Sequence, residues 1–168
     1  MMPQHFDIIV VGGGLSGIDA AYHLQTYCRK KSYAILEARD AIGGTWDLFR
    51  YPGIRSDSDM YTFGYSFRPW QSNSAIALGE SIRTYISETA TAYGIDRHIR
   101  FRHRVKRASW SSAGAQWTLE VERDGEREPA HFTCRFLFGC TGYYDYARGY
   151  MPEFPGVEAF RGLSLIHI

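Results

Sequence analysis

Three glycines and one acid near the start of the chain have the spacing of a dinucleotide-binding site. Gly12, Gly14 and Gly17 give the pattern G-x-G-x-x-G, and Glu37 follows about twenty residues after the last of them. These glycines permit a tight turn, close approach of the backbone to a pyrophosphate, and close packing of the next helix. A carboxylate at Glu37 can accept both hydroxyls of an adenosine ribose and would repel a 2′-phosphate. The pattern predicts a site for FAD or NAD rather than NADP; the alternative is a glycine-rich turn without a ligand.

Such a site requires a strand, a turn and a helix in that order. Residues 6–11 (FDIIVV) are β-branched and aromatic, which is typical of a strand buried on both faces. One face of the following helix should carry Gly17, Ala21, Leu24 and Cys28. The free N–H groups at the start of that helix would face the phosphates. A second strand is predicted over residues 32–38 (SYAILEA), which contain Glu37.

Composition excludes several classes of function. The chain has 168 residues, enough for one domain, and a net charge of +1 argues against bulk binding of nucleic acid. Cys28, Cys134 and Cys140 lack metal-site spacing and are odd in number, so we expect reduced thiols, no metal and a cytoplasmic protein. We also expect no signal peptide and no membrane span, since no apolar run approaches about 20 residues. Peripheral association with a membrane stays open.

The remaining chain alternates between loop, helix and strand patterns. Residues 38–59 have no periodicity, and a loop of this length with many aromatic residues is more often functional than disordered. Within it, Gly43 and Gly44 should bring the backbone close to another part of the chain. Residues 79–93 predict a helix with an apolar stripe that ends at Gly94.

Three alternating segments predict a β-meander. They cover residues 101–106, 117–122 and 132–138, with a turn at 124–125 between the last two. The glycine-containing turn at 139–142 is expected to return the chain to the first sheet. Residues 143–155, rich in Tyr, Gly and Pro, read as a surface connection.

Four stretches together resemble the N-terminal part of the class B flavoprotein monooxygenases of the Baeyer–Villiger type. The stretches are GGGLSG, ILEARDAIGGTWDLFRYPGIRSDSDMYTFGYSFRPW, YGIDRHIRF and FLFGCTGYY. The resemblance covers residues 5–162, is strongest to the mycobacterial members that activate ethionamide, and is most specific in GGTW and YPGIRSDSDMY. It implies a truncated α/β, Rossmann-like FAD-binding domain over residues 1–162, with a parallel sheet and an inserted β-meander.

The resemblance also implies a reaction. In this family NADPH reduces FAD, and the reduced flavin takes up O₂ to give a C4a-peroxyflavin. That species inserts oxygen beside a ketone carbonyl or oxygenates the sulfur of a thioether or thioamide. The cofactor carries the hard chemistry, and the protein supplies binding, orientation and electrostatics.

Site residues follow from matching positions in the resemblance. The FAD pyrophosphate should be held by Gly12, Gly14, Ser16 and Gly17, and the adenosine ribose by Glu37. The flavin half of FAD should lie along Gly44, Thr45, Trp46, Asp47 and Leu48, and the backbone of Val105 should meet the adenine. The turn that contacts NADP should contain Arg55 and Ser56, with Asp57 as a catalytic acid beside the isoalloxazine and the nicotinamide.

Two of these residues have ordinary structural alternatives. Asp57 can be a plain turn or cap residue, and Arg55 can belong to a surface ion pair. Asp59, which lies two residues further on, is better explained as a helix cap than as a site residue.

The last residues depart from the family pattern. Phe160 and Gly162 match the start of the signature F-x-G-x-x-x-H-x-x-x-W, but Ile166 stands where its histidine should fall, so His167 receives no role. Residues 163–168 (LSLIHI) are what a common transposase sequencing adapter encodes in frame, which predicts a foreign tail; a short genuine strand is the alternative. A second glycine fingerprint for NADPH is absent, so we expect the chain alone to be inactive.

Three other functions are alternatives to a monooxygenase. Another class of flavoprotein remains open, although a disulfide reductase would need a C-x-x-C pair that the sequence lacks. A non-catalytic nucleotide-binding fragment is also compatible with these residues. RNA binding through the alternating aromatic residues at 61–67 is disfavoured, because no basic stripe accompanies them.

Overall fold

A computed structural model describes residues 3–162 of the chain. The strands in this part are β1 (Gln4–Val11), β2 (Tyr33–Leu36), β3 (Ile99–Arg100), β4 (His103–Ser111), β5 (Gln116–Arg123) and β6 (Ala130–Gly139). The α-helices are α1 (Leu15–Tyr27), α2 (Thr45–Leu48), α3 (Met60–Phe63) and α4 (Gly79–Ala92). The strands form one mixed sheet in the order β3-β2-β1-β6-β5-β4.

The predicted strand, turn and helix at the start of the chain are confirmed. β1 lies inside the sheet and pairs in parallel with β2 on one side and with β6 on the other. Ile9 and Val10 are fully buried although they point to opposite faces, which explains why this strand is apolar at successive positions.

The two faces of the sheet carry separate hydrophobic clusters. The helix side includes Val10, Ile18, Ile35, Ile82 and Ile86, contributed by β1, β2, α1 and α4. The opposite side includes Ile9, Leu36, Leu119, Val121, Phe132 and Cys134, where the meander curls over the parallel strands. Each fully buried aliphatic side chain contributes about 1.5–3 kcal/mol of transfer free energy, so both clusters stabilise the sheet that carries the glycine turn.

The β-meander is confirmed as the antiparallel strands β4, β5 and β6. The expected return to the first sheet is made by β6 itself, which pairs with β1 from Gln4↔Phe132 to Val11↔Gly139, and the turn at 139–142 then begins beside the glycine turn. A strand has two hydrogen-bonding edges, and β6 uses one for each half of the sheet. The parallel strands and the inserted meander therefore belong to one continuous mixed sheet.

Other elements agree with the sequence patterns or add to them. The helix predicted over 79–93 is α4, and Gly94 follows its end with a φ of +65°. The Asp59 side chain accepts a hydrogen bond from the Thr62 amide at the start of α3, which confirms its role as a cap. Residues 143–155 are irregular and mostly exposed, as predicted. The tail at 163–168, with Ile166 and His167, lies outside the described residues.

Residues 3–162 contain no helix with the length and apolar character needed to cross a lipid bilayer. The same residues contain no group of three or more His, Cys, Asp or Glu side chains arranged to hold a metal ion.

Candidate dinucleotide-binding site

The glycine turn after β1 is packed too tightly for side chains. Gly12 has a φ of +110°, and a Cβ there would overlap the carbonyl oxygen of Cys140. A Cβ on Gly17 would overlap the carbonyl oxygen of Gly12, since the first turn of α1 lies directly against the end of β1. The amide of Gly12 donates to the Leu36 carbonyl at 2.9 Å and so continues the pairing of β1 with β2.

A second glycine turn lies against the first. The Gly43 amide donates to the Gly13 carbonyl at 3.1 Å, and a Cβ on Gly44 would come within 3.2 Å of the Gly14 Cα. Gly44 has a φ of +54°, a conformation that glycine adopts without steric cost. The prediction that this glycine pair brings the backbone close to another segment is confirmed, and that segment is the fingerprint turn.

The start of α1 provides donors for an anion. Gly14 occupies the N-cap position, no side chain caps the helix, and no acid lies in its first turn. Ser16 lies in that turn and is exposed. The first amides of a helix have no partner within the helix and carry the positive end of its dipole, so this end suits a phosphate.

Glu37 lies at the carboxyl end of β2, directly beside the glycine turn. Its side chain accepts hydrogen bonds from the Gly13 amide at 2.6 Å and from the Arg39 amide at 2.9 Å. The residue is only 7% exposed, so both contacts hold the carboxylate in a fixed orientation. Each carboxylate oxygen can accept more than one hydrogen bond, which leaves acceptor capacity for hydroxyl groups.

Backbone pairing brings β4 to the same place. The His103 amide donates to the Glu37 carbonyl at 2.8 Å, and Val105 follows two residues later. Val105 is half-buried opposite Val121, and the register of β4 shifts between Val105 and Arg107. Val105, the residue predicted to meet the adenine, thus lies two residues from the point where β4 pairs with Glu37.

The segment after the second glycine turn forms the short helix α2, which the sequence patterns did not predict. Thr45, Trp46 and Leu48 are half-buried, and the Trp46 ring meets Phe63 edge-on at 6.0 Å between centroids.

Asp47 is 2% exposed, and its carboxylate forms ion pairs with the guanidinium groups of three arginines: Arg39, Arg50 and Arg83. Arg39 and Arg83 were missed, because no local pattern links them to Asp47.

The following loop separates one buried residue from its exposed neighbours. Ser56 is 4% exposed; its amide donates to the Ala77 carbonyl at 2.9 Å and its hydroxyl accepts from the Ala77 amide at 3.1 Å. Arg55 and Asp57, on either side, are exposed, and the Arg55 guanidinium donates to the Gly53 carbonyl at 3.3 Å. Ser56 therefore fastens the loop while its neighbours face outward.

The connection after β6 also reaches this region. The sequence pattern predicted a surface connection there and gave no sign of this contact. The rings of Tyr144 and Tyr146 meet Phe49 edge-on at 6.0 and 5.9 Å between centroids. The neighbouring phenol of Tyr143 raises the pKa of Tyr144, and the negative charge of Asp57 adds to that shift. Beside these rings, a groove of about 360 Å³ is lined by Trp46, Phe49, Arg50, Ile54, Glu80 and Arg83.

The fold and the glycine turn are those of a Rossmann-like domain. The family described as NAD(P)-binding Rossmann-like domain matches residues 10–74, which span the fingerprint, Glu37 and the second glycine turn. The match covers the end of β1 and the whole of α1, β2, α2 and α3.

Comparison with curated proteins identifies relatives of the chain. It is 56% identical over 166 residues to the FAD-containing monooxygenase EthA of Mycobacterium tuberculosis H37Rv, and 48% identical to the probable FAD-binding monooxygenase AlmA of Acinetobacter baylyi. Each match covers 99% of this chain and 33% of the relative, so the chain spans about a third of their length. The chain is therefore similar in sequence to proteins named as FAD-containing monooxygenases, which confirms the resemblance found in the sequence.

Solved structures give the same picture. An oxidised steroid monooxygenase bound to NADP matches with a TM-score of 0.77 and 28% identity over 92% of this chain and 29% of its own. The monooxygenase OTEMO in complex with FAD and NADP matches with a TM-score of 0.75 and 28% identity, over 96% of this chain and 30% of its own. The predicted fold class, a Rossmann-like domain with an additional β-meander, is confirmed.

Proposed function

We propose that residues 1–162 form the FAD-binding part of a flavin monooxygenase that uses NADPH and O₂. The observation that carries this proposal is the contact between the two glycine turns beside the buried Glu37 carboxylate. The contact creates a backbone cradle at the uncapped start of α1, next to an acid suited to ribose hydroxyls. The relatedness to proteins named as FAD-containing monooxygenases supports FAD as the dinucleotide.

In this proposal the cradle binds FAD in an extended orientation. The amides that open α1, together with Gly12, Gly14, Ser16 and Gly17, hold the pyrophosphate. Glu37 accepts the ribose hydroxyls, the backbone of Val105 meets the adenine, and the turn from Gly44 to Leu48 follows the flavin half. When bound, FAD supplies the two-electron chemistry and the activation of O₂ that amino-acid side chains lack.

The loop around Asp57 is proposed to orient the second nucleotide. Ser56 is fixed by two hydrogen bonds to Ala77, which sets the direction in which Asp57 leaves the loop. An exposed carboxylate there can accept a hydrogen bond from the nicotinamide amide and so orient the hydride donor. Arg55 lies beside it, where a guanidinium can meet a phosphate of NADP.

The substrate is proposed to be a ketone, a thioether or a thioamide, which would be oxygenated with O₂. This part of the proposal is supported by the family resemblance alone. The sequence contains a single G-x-G-x-x-G pattern, so we propose that NADPH oxidation requires polypeptide beyond these 168 residues.

Titration of the purified chain with FAD tests the proposal. We expect flavin fluorescence to change in a saturable way, NAD to compete weakly, and NADP to compete less than NAD because Glu37 repels a 2′-phosphate. The chain mixed with FAD and NADPH should leave the nicotinamide absorbance constant. A chain that ignores FAD, or that prefers NADP to FAD, would contradict the proposal, and measurable NADPH oxidation would contradict its second part.

A further inference from the structure

Asp47 joins three separate parts of the chain through one buried carboxylate. Oδ2 pairs with Arg39, which follows β2, while Oδ1 lies 3.2 Å from Arg50, which follows α2, and 3.8 Å from Arg83 of α4. The Asp47 side chain is 2% exposed, and both of its oxygens already face guanidinium groups.

Arg39 extends this cluster to the glycine turns. Its guanidinium also donates to the Gly44 carbonyl at 3.1 Å, and the Asp47 amide donates to the same carbonyl at 3.2 Å. Gly44 in turn lies against Gly14 of the fingerprint. Asp47 is therefore connected to the cradle by its own backbone and, through its carboxylate, by Arg39.

The other two arginines differ in how firmly they are held. Arg50 also donates to the Asp47 carbonyl at 3.0 Å, but its side chain is 75% exposed. Arg83 is 43% exposed, and its stem lies beside Gly43, where a Cβ would come within 3.2 Å of its Cγ. Arg39, at 27% exposed, is the most buried of the three and the one that donates to Gly44.

We propose that Asp47 is a positioning residue of the FAD site rather than a ligand of the cofactor. Its carboxylate orients Arg39, which holds the second glycine turn against the first, so that the cradle is formed before FAD arrives. This inference rests on the proposed function, and it reassigns the role that the family resemblance gave to Asp47. Removing a buried charge from such a cluster leaves guanidinium groups uncompensated, which loosens the parts that they join.

A double-mutant cycle on FAD affinity tests the proposal. Asp47→Asn and Arg39→Met should each raise the Kd for FAD about tenfold, within the usual range for coupling between two sites. The double variant should bind no more weakly than the weaker single variant, because both changes break the same connection. Asp40→Asn is the matched control: Asp40 is 70% exposed, lies 3.7 Å from Arg102, and its loss should change the Kd less than twofold.

Two results would overturn the proposal. An Asp47→Asn variant with a Kd within twofold of the unsubstituted chain would show that the carboxylate does not position the site. A double variant whose Kd is raised about a hundredfold, the product of the two single effects, would show that Asp47 contacts FAD independently of Arg39. If Asp47→Asn fails to fold, Arg39→Met alone must still raise the Kd.

Hydrogen exchange of the chain without FAD separates this proposal from the proposed function. Asp47→Asn should speed amide exchange in residues 12–17 and 43–48 and leave the β4–β5 hairpin unchanged. Unchanged exchange in both glycine turns would overturn the positioning role. If the unsubstituted chain does not bind FAD but the exchange changes as expected, the proposed function fails while the connection from Asp47 to the cradle stands.

Discussion

The two acids assigned to opposite ends of the candidate site lie in contrasting surroundings. Glu37 is 7% exposed and held by two backbone amides between the glycine turn and β4. Asp57 is exposed on a loop that is fastened through its neighbour Ser56. The Glu37 end is therefore organised by packing that exists without any ligand, whereas the Asp57 side chain is free to reorient when a nucleotide approaches.

The contrast extends to the backbone around each acid. Near Glu37, glycines pack so closely that added Cβ atoms would overlap carbonyl oxygens. Near Asp57, a Cβ on Gly53 would meet only the tip of the Arg55 side chain, at 4.0 Å. Substitutions of the glycines should therefore act on folding and FAD binding together at the first end, whereas substitution of Asp57 at the second end should change neither.

The largest effect is expected from Gly17→Ala. Its Cβ would overlap the Gly12 carbonyl oxygen, so α1 must shift away from β1, at a cost of about 1–3 kcal/mol in the free energy of unfolding. FAD binding should be lost, because the shift displaces the amides that open α1. Urea unfolding and flavin fluorescence measure the two effects.

Gly139→Ala is the matched control for that change. A Cβ at Gly139 would meet no atom within 4 Å although the residue ends β6 in the same sheet. We expect unchanged or slightly higher stability, since alanine restricts the unfolded chain more than glycine does. Equal losses in both variants would show that close packing at the fingerprint does not distinguish this end of the site.

An intermediate effect is expected from Glu37→Gln. The amide oxygen can accept from only one of the two backbone donors that Glu37 binds, and its NH₂ group then faces the other donor. Loss of a charge-assisted hydrogen bond to the ribose costs about 1.5–3 kcal/mol, which corresponds to roughly a 10- to 100-fold higher Kd for FAD. Glu122→Gln, at an exposed position of β5 beside Lys106, should bind FAD as the unsubstituted chain does. Equal Kd values for both variants would remove Glu37 from the site.

The smallest effect is expected from Asp57→Ala, which should change the free energy of unfolding by less than about 0.5 kcal/mol and leave the Kd for FAD unchanged.

Asp59→Ala, two residues away, should be less stable at neutral pH, because Asp59 caps α3. Hydrogen bonds from the Thr62 hydroxyl and amide hold the pKa of Asp59 below its usual range.

That lowered pKa fixes the direction of the pH dependence. The stabilisation by Asp59 is complete above the ordinary pKa of a carboxyl group and is lost as the pH falls through the lowered pKa. Urea midpoints of the unsubstituted chain and of Asp59→Ala should therefore differ at neutral pH and converge in acid. A constant difference at every pH would show that the carboxylate charge does not act as the cap.

Most of the fold could be predicted from local patterns, because its main constraints are local. The steric demands of the glycine turn depend on residues within a few positions, and the stripe of α4 and the alternation of the meander each repeat over a single element. The two-residue strand β3 is too short to show any alternation. The pairing of β6 with β1 joins residues more than a hundred positions apart, and no local pattern records it.

The parts of the candidate site that depend on local backbone geometry could be predicted from the sequence. The parts that depend on ion pairs between distant segments could not. Gly12, Gly17 and Glu37 lie where the fingerprint places them. The ion pair between Asp47 and Arg83 depends on how α4 docks against α2, which a reading of either segment alone cannot provide.

The dual pairing of β6 makes the two halves of the sheet depend on each other. Its backbone hydrogen-bonds to β1 along one edge and to β5 along the other, and the amide of Cys140 continues this ladder to the Val11 carbonyl at the start of the glycine turn. A protease cut in the turn between β5 and β6 would free the strand that covers one edge of β6 and so weaken the pairing of β6 with β1. A cleavage far from the cofactor would in that way destabilise the phosphate cradle, and we expect the two halves of the sheet to unfold cooperatively.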